Sequence, residues 1–204
     1  MMNNFGLYLI ITKPVLTYQE IARIAVKHNI KYLQLREKDL SDRDVISVSK
    51  EIIKITSGTA TNFIMNDRAD LAKIVNADGL HLGQDDVSLT DAQAIFGHDK
   101  IYGLSTHSLE QANKAIKQNP DYIGFGPIFP TPTKVKADPT VGLDLIKPLV
   151  KTSTSPVVAI GGIDETNAEK VIYAGAENIC LVRYFMNYKN LEERILKIST
   201  KLHI

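Results

Sequence analysis

The segment QLREK, residues 34–38, places an amide and two cations at alternate positions along the chain. In an extended strand, residues spaced by two point to the same side, so Gln34, Arg36 and Lys38 are expected to share one face. Two cations that face a pocket are costly without an anionic partner. The segment therefore predicts an oxyanion site. The alternative is a strand that ends early and leaves both charges in solvent.

Acidic residues follow two later apolar segments. Asn66 and Asp67 come at the end of IMND, and Asp85 and Asp86 follow HLGQ. Carboxylates with few other protein ligands suit Mg²⁺, which keeps several waters and completes its shell with oxygens of a phosphate-bearing substrate. We therefore expect a magnesium site here. The alternative for Asp85 or Asp86 is a cap on the next helix.

The segment FGPIFPTPTK, residues 125–134, carries three prolines and ends in a cation. Proline restricts the backbone and lowers the entropy lost when a loop becomes ordered. The loop then offers the hydroxyls of Thr131 and Thr133 and the ammonium group of Lys134 to a phosphate. Residues 131–141 could close over such a ligand as a lid.

Two histidines lie near these groups in the sequence. His81 is spaced by two from Gly83 and is expected to face inwards, either as a core residue or as a functional one. Ser105 and His107 raise the question of a nucleophilic hydrolase. We discount it, because GLSTH is not the strained G-x-S-x-G turn and proximity in sequence does not place serine and histidine in hydrogen-bond geometry.

Eight short apolar segments alternate with segments of helical spacing, and these elements would position the polar groups. The predicted strands are residues 7–11, 32–36, 62–66, 79–83, 101–105, 122–126, 157–161 and 178–182. The predicted helix caps are Thr17, Ser41, Thr90, Ser108 and Thr166. Strict alternation requires parallel strands, and eight units favour a (β/α)8 barrel over an open sheet. We predict one domain with this α/β fold over residues 1–204.

In such a barrel, chemistry takes place at the carboxyl ends of the strands, and the loops after strands seven and eight commonly bind phosphate. The seventh strand ends in AIGGI, where Gly161 and Gly162 allow close approach of the backbone. The eighth strand is expected to run to Val182 and Arg183. Two anion-binding regions beside acidic metal ligands suggest a phosphorylated substrate that meets a pyrophosphorylated one.

Composition and charge exclude several function classes. Lys and Arg total 24 against 23 for Asp and Glu, without a run of like charge, so neither nucleic acid nor a membrane surface is an expected partner. The early apolar run, residues 5–11, is too short to cross a membrane, and the single cysteine, Cys180, suits a reducing compartment. Cytoplasmic localisation is expected. The sequence contains neither a Walker A sequence nor a dinucleotide fingerprint. A homo-oligomer is one of the expected possibilities.

The motifs QLREKD, NDR, HLGQDD, GLSTH, GPIFPTPTK and AIGGI occur in an order that resembles the thiamine phosphate synthase family. The resemblance spans nearly the whole chain and implies a (β/α)8 enzyme. The implied reaction joins 4-amino-2-methyl-5-hydroxymethylpyrimidine pyrophosphate to 4-methyl-5-(2-hydroxyethyl)thiazole phosphate and releases pyrophosphate and thiamine phosphate. The implied cofactor is Mg²⁺.

The resemblance also implies a role for each matching residue. The pyrimidine substrate with its pyrophosphate would be held by Gln34, Arg36, Lys38, Asn66, Ser105 and Lys134, and Mg²⁺ by Asp67 and Asp86. The thiazole phosphate would be held by Thr131, Thr133 and the Gly162 amide, and Val182 and Arg183 are further candidate substrate-binding residues after the eighth strand. The three cations Arg36, Lys38 and Lys134 would act catalytically by neutralising the departing pyrophosphate.

One position departs from the family pattern, since Arg183 stands where a small residue, commonly serine, is usual. The arginine would either contact the thiazole phosphate or obstruct its pocket. Three other functions compete: a thiazole tautomerase of the same barrel family, another barrel enzyme acting on sugar phosphates, and a non-catalytic protein that binds phosphorylated ligands. Lys38, Asp67 and Lys134 favour the synthase, because pyrophosphate release needs them and an isomerase does not.

Overall fold

Eight parallel strands close into a barrel in the computed structural model of the chain, which describes residues 4–131 and 139–202. The strands are β1 (Gly6–Ile11), β2 (Tyr32–Leu35), β3 (Asn62–Asn66), β4 (Gly79–Leu82), β5 (Ile101–Thr106), β6 (Tyr122–Phe125), β7 (Val157–Ile160) and β8 (Asn178–Cys180). Each strand pairs in parallel with the next, and β8 pairs with β1. The predicted (β/α)8 barrel is therefore confirmed.

Helices connect the strands and cover the outside of the barrel. They are α1 (Tyr18–Lys27), α2 (Asp42–Thr56), α3 (Ala69–Val75), α4 (Leu89–Phe96), α5 (Leu109–Ile116), α6 (Ile146–Thr152), α7 (Ala168–Tyr173), α8 (Val182–Met186) and α9 (Leu191–Leu202). In residues 4–131 and 139–202, no helix combines the length and the apolar character that a membrane span requires.

Alternate strand residues face opposite sides of the barrel wall, as β1 illustrates. Leu7, Leu9 and Ile11 are buried against the helices, and Tyr8 and Ile10 belong to a separate cluster inside the barrel. The other buried members of the inner cluster are Tyr32, Ile64, Tyr122, Val158 and Cys180. Large side chains therefore fill the centre, which confines ligand chemistry to the mouth of the barrel.

Three of the five predicted helix caps are confirmed. Thr17, Ser41 and Ser108 each accept a hydrogen bond from a backbone N–H in the first turn of α1, α2 and α5. The prediction of Thr90 is wrong, because Ser88 caps α4 and accepts from the Asp91 N–H at 3.1 Å. This earlier start buries Leu89 in the core.

The prediction of Thr166 as a cap is also wrong. Its hydroxyl and backbone N–H both donate to the Asp164 carboxylate, at 2.6 and 2.8 Å, which holds Thr166 in the turn before α7. The N-cap of α7 is Asn167.

The prediction that the eighth strand runs to Val182 and Arg183 is wrong. β8 ends at Cys180, and Val182 begins the short helix α8. Three consecutive residues of α8, Tyr184–Met186, are buried, which a strand with alternating faces would not achieve here. Arg183 is therefore carried by the first turn of a helix. The predicted lid, residues 131–141, falls largely outside the described residues.

Candidate active site

A cavity of about 450 Å³ opens at the carboxyl ends of the strands. It brings together eight residues that the sequence predicted as substrate contacts: Gln34, Arg36, Asn66, Ser105, Thr131, Gly162, Val182 and Arg183. They come from the ends of β2, β3 and β5 and from the segments that follow β6, β7 and β8. Lys38 and the two predicted metal ligands do not line the cavity. Thr133 and Lys134 lie outside the described residues, so their predicted roles stay predictions.

The residues after β2 separate into two environments. Gln34 is 1% exposed, and its amide Nε2 donates to the Tyr8 hydroxyl at 2.9 Å. Arg36 lies just past the strand end, where its backbone N–H still bonds to the Ile11 carbonyl at 2.9 Å and the residue lines the cavity. The expectation that Lys38 shares this face is wrong. The strand ends at Leu35, and the Lys38 side chain is 58% exposed.

The Lys38 ammonium group has an anionic partner nonetheless, since it lies 3.0 Å from the Asp67 carboxylate. The Asp67 carboxylate also neighbours that of Asp86, which accepts a hydrogen bond from the Gly83 N–H at 2.6 Å. Burial, and next the Asp67 carboxylate, raise the pKa of Asp86 above its ordinary value. We call Asp67 and Asp86 the carboxylate pair.

The carboxylate pair fits the donor set that Mg²⁺ prefers. Two hard oxygen ligands lie close together, and burial followed by the Asp67 carboxylate raises the pKa of Asp86, so a divalent cation would stabilise the ionised pair. Within residues 4–131 and 139–202, no cluster of three or more His, Cys, Asp or Glu side chains forms a metal site. Water and substrate oxygens would have to complete the shell. The alternative capping role is wrong for both Asp85 and Asp86, because Ser88 caps α4.

His81 faces inwards, as expected from its spacing. Its Nε2 lies 2.8 Å from the Ser105 hydroxyl oxygen, and its Nδ1 lies 3.1 Å from the Tyr122 hydroxyl oxygen. The Nδ1 of His107 instead contacts the Gly126 carbonyl at 2.6 Å. A phenol thus lies against Nδ1 of His81, where a hydrolase triad has a carboxylate.

Sequence reasoning missed Tyr8 and Tyr122 as members of this network. Their hydroxyl oxygens lie 2.7 Å apart although 114 positions separate them in the chain. Each occupies an inward position of a strand, which local spacing can indicate. That the two hydroxyls meet across the barrel axis is a long-range fact that local spacing does not encode.

The loops after β7 and β8 form the opposite side of the cavity. Gly161 and Gly162 have φ values of 97° and 67°, which glycine adopts readily. A Cβ atom at Gly162 would lie 2.7 Å from the Phe129 carbonyl oxygen. The close approach predicted for these glycines is therefore confirmed, and the neighbour is the backbone of the loop after β6.

Two arginines reach this side of the cavity. Arg183 lines it from α8, and Arg194 lines it from α9. The Arg194 guanidinium carbon lies 3.5 Å from the centre of the Tyr188 ring and 4.4 Å from that of Tyr184. Arg194 was not predicted, because it lies on a helix well after the last strand.

Glu165 also lines this side, but its carboxylate is neutralised by the chain itself. It accepts from the Tyr184 hydroxyl at 2.7 Å and pairs with the Lys197 ammonium group at 2.9 Å. The Tyr184 hydrogen bond, followed by the Lys197 contact, lowers the pKa of Glu165 below its ordinary value.

Comparison with known proteins agrees with this geometry. A family model of thiamine monophosphate synthase matches residues 7–185. The thiamine-phosphate synthase of Clostridium botulinum (strain Loch Maree) is 35% identical over 192 residues, which cover 93% of this chain and 94% of that protein. That of Dictyoglomus turgidum is 37% identical over 179 residues, which cover 88% and 80%. The solved structure of thiamine phosphate pyrophosphorylase from Pyrococcus furiosus is 31% identical, with a TM-score of 0.84 and 99% of both chains covered. The chain belongs to the thiamine monophosphate synthase family of enzymes.

Proposed function

We propose that the chain joins 4-amino-2-methyl-5-hydroxymethylpyrimidine pyrophosphate to 4-methyl-5-(2-hydroxyethyl)thiazole phosphate. The observation that carries the proposal is one cavity with two polar sides, formed by Gln34, Arg36 and Ser105 on one and Gly162 and Arg183 on the other. Such a cavity can hold two phosphorylated molecules next to each other, which the family's reaction requires. Holding both reactants in place removes much of the entropic cost of their encounter.

The pyrimidine substrate would occupy the β2–β5 side. The Gln34 side chain donates to Tyr8 through Nε2, which leaves its Oε1 to accept a hydrogen bond from the pyrimidine. Asn66 lines the same side and offers a second amide. We expect these two amides to orient the ring, so that the methylene carbon faces the thiazole.

The pyrophosphate would leave through the cationic end of that side. Arg36 and Ser105 line the cavity there, and the Lys38 ammonium group contacts Asp67 of the carboxylate pair at 3.0 Å. Asp67 and Asp86 would hold Mg²⁺, which when bound neutralises charge on the pyrophosphate. Lys134 is proposed as a further cation from the resemblance alone. The chain's groups would thus be arranged for the charge that develops as the leaving group departs.

The thiazole phosphate would bind on the β7–β8 side. Gly162, Thr131, Val182 and Arg183 line it, so a peptide N–H, a hydroxyl and a guanidinium group are available for the phosphate. Thr133 is proposed here from the resemblance. A guanidinium group binds a phosphate with two parallel hydrogen bonds, so Arg183 would strengthen the grip that a serine provides in the family.

The bond changes need no nucleophile from the protein. The bond between the methylene carbon and the pyrophosphate oxygen breaks, and its electron pair leaves with pyrophosphate. The resulting pyrimidinylmethyl cation is stabilised by resonance, and the lone pair of the thiazole nitrogen forms the new carbon–nitrogen bond. Protons are not transferred in either step, so the chain contributes position and charge.

The test is to incubate the purified chain and Mg²⁺ with both substrates, and with each one omitted in turn. Thiamine phosphate is measured by oxidation to fluorescent thiochrome, and released pyrophosphate is counted in parallel. We expect one pyrophosphate per thiamine phosphate, and neither without both substrates. A folded chain that isomerises the thiazole but releases no pyrophosphate would be a tautomerase instead.

A further inference from the structure

Five side chains form a continuous hydrogen-bonded series across the centre of the barrel. It begins at the Gln34 amide, passes through the hydroxyls of Tyr8 and Tyr122 and the ring of His81, and ends at the Ser105 hydroxyl. The successive distances are 2.9, 2.7, 3.1 and 2.8 Å. Gln34 and Ser105 both line the cavity, so the series joins two points of the active site through groups below it.

The two tyrosines connect the ends because they are enclosed. Tyr8 and Tyr122 are 2% and 1% exposed, so their hydroxyls are satisfied by the chain. Burial raises the pKa of both phenols well above the ordinary value, which keeps each of them neutral with one hydrogen to donate. The close packing of strand β5 supports this placement, since a Cβ at Gly103 would collide with the Tyr122 ring.

Each phenol has one hydrogen to donate, so the donors and acceptors along the series follow one order. The Gln34 Nε2 donates to Tyr8. The contacts of 2.7 Å between the phenols and 3.1 Å to Nδ1 of His81 give both buried phenol hydrogens an acceptor when Tyr8 donates to Tyr122 and Tyr122 donates to Nδ1, so we infer that direction. A neutral imidazole that accepts at Nδ1 carries its hydrogen on Nε2 and donates it to Ser105. The Ser105 hydroxyl accepts that bond and retains its own hydrogen for the cavity.

We propose that Tyr122 is a positioning residue that keeps His81 in the Nε2–H tautomer and the Ser105 hydroxyl as a hydrogen-bond donor to the cavity, and that Tyr8 positions the Gln34 amide at the other end of the series. A donor is the correct polarity for an anionic ligand. The reversed direction would instead present a lone pair of the Ser105 oxygen to that anion, which repels it. That the ligand is an anion rests on the proposed function. The order of donors and acceptors in the series does not depend on it.

The direct test is the ¹⁵N spectrum of the full chain labelled at histidine. The chain has five histidines, and His81→Gln identifies the signals of His81. We expect Nε2 of His81 to carry the hydrogen and Nδ1 to be unprotonated. A wild-type spectrum with the hydrogen on Nδ1 would overturn the proposal, whether or not the chain makes thiamine phosphate.

Two phenylalanine variants separate the links of the series. Tyr122→Phe removes the donor to Nδ1, so the His81 signals should shift to those of a tautomer mixture. Tyr8→Phe leaves Tyr122 as the donor, so the His81 tautomer should be retained. Tyr102→Phe is the matched control, because it removes a buried hydroxyl that bonds to the Gly97 carbonyl at 2.6 Å outside this series. His81 signals that stay unchanged in a folded Tyr122→Phe would contradict the proposal.

The two phenylalanine variants should also differ in which kinetic constant they change. Tyr122→Phe should lower kcat about 10-fold, the scale of one hydrogen bond, because Ser105 loses its fixed orientation toward the developing charge. Tyr8→Phe should raise the KM for the pyrimidine substrate through the loosened Gln34 amide, with little change in kcat. Equal losses in Tyr122→Phe and the Tyr102→Phe control would indicate a packing role only and overturn the proposal. If Tyr122→Phe does not fold, the wild-type and Tyr8→Phe spectra still show which nitrogen of His81 carries the hydrogen.

Discussion

Carboxylates on the two sides of the cavity have opposite electrostatic environments. On the β7–β8 side, Glu165 is held by the Tyr184 hydroxyl and the Lys197 ammonium group, and its pKa is lowered. On the β2–β4 side, Asp86 is partly buried against Asp67, and its pKa is raised. The negative charge of Glu165 is thus balanced by a lysine of the chain. The carboxylate pair carries more negative charge than Lys38 neutralises.

The difference indicates which side needs a cation from outside. Glu165 has its positive partner in Lys197, so added metal should not affect it. Among residues 4–131 and 139–202, the carboxylate pair has one direct ammonium contact, at 3.0 Å from Asp67, and repulsion remains within the pair. A strained, partly buried pair at a catalytic mouth is a typical place for a divalent ion.

The largest expected effect is that of Asp86→Asn. The variant removes one of two proposed metal ligands, and we expect turnover at saturating substrate to fall roughly 10³-fold. The matched control is Asp85→Asn, an exposed neighbour outside the carboxylate pair, which should keep near-normal turnover. Equal turnover in the two variants would remove the carboxylate pair from the mechanism.

Lys134→Ala should rank next. The loss of one preorganised cation at a developing charge costs roughly 10²- to 10³-fold in turnover. Lys147→Ala, an exposed lysine on α6, serves as the control. A Lys134→Ala enzyme with near-normal turnover would show that the leaving group is neutralised without this side chain.

Arg183→Ser tests whether the arginine binds the thiazole phosphate or obstructs its pocket. If Arg183 binds the thiazole phosphate, the KM for that substrate should rise about 10-fold, as expected for the loss of a charge-assisted hydrogen bond. Arg23→Ser, an exposed arginine on α1, should leave the KM unchanged. A lower KM in Arg183→Ser would mean that the arginine obstructs the pocket.

The pH dependence of stability should differ with and without Mg²⁺. The raised pKa of Asp86 means that the folded chain holds its proton more tightly than the unfolded chain does. Without metal, the contribution of Asp86 to stability is therefore lost as pH rises from its unfolded pKa through the folded one. With Mg²⁺, which binds the ionised form, the melting temperature should rise over that same range. Asp86→Asn should abolish both trends in thermal melts.

Glu165→Gln should have the smallest effect. Because the pKa of Glu165 is lowered, its contacts stabilise the fold above the ordinary glutamate pKa and are lost as pH falls through the folded value. The pair is partly exposed, so at neutral pH we expect Tm to fall by no more than about 2 °C, with an unchanged response to Mg²⁺. If Mg²⁺ no longer raised the Tm of Glu165→Gln, the metal effect could not be assigned to the carboxylate pair alone.

The barrel could be predicted because the apolar spacing of strands and the capping residues of helices can both be identified within short stretches of sequence. Errors arose where the sequence permitted two local solutions. Ser88 and Thr90 are both plausible caps, and the buried contact of Leu89 decides for Ser88. The apolar run NICLV suits a strand or a buried helical turn, and packing of the residues after Val182 decides for α8.

The candidate site was predictable only where its residues follow strands. Gln34 and Arg36 reach the cavity as the period of β2 requires, but Lys38 leaves that face because the strand ends first. Arg194 lies on α9 and so carried no such signal. The contact between Tyr8 and Tyr122 depends on closure of the barrel, which brings β1 and β6 together across its axis.

The most direct test of the account is to measure thiamine phosphate formation by the wild-type chain before chelation, in EDTA, and after Mg²⁺ is restored. We propose that the carboxylate pair contributes to the reaction only when it holds a divalent cation. We predict that product formation stops in EDTA and returns with Mg²⁺, while the circular dichroism of the chain shows that it stays folded. Product formation that continues at the same rate in EDTA would contradict the central claim.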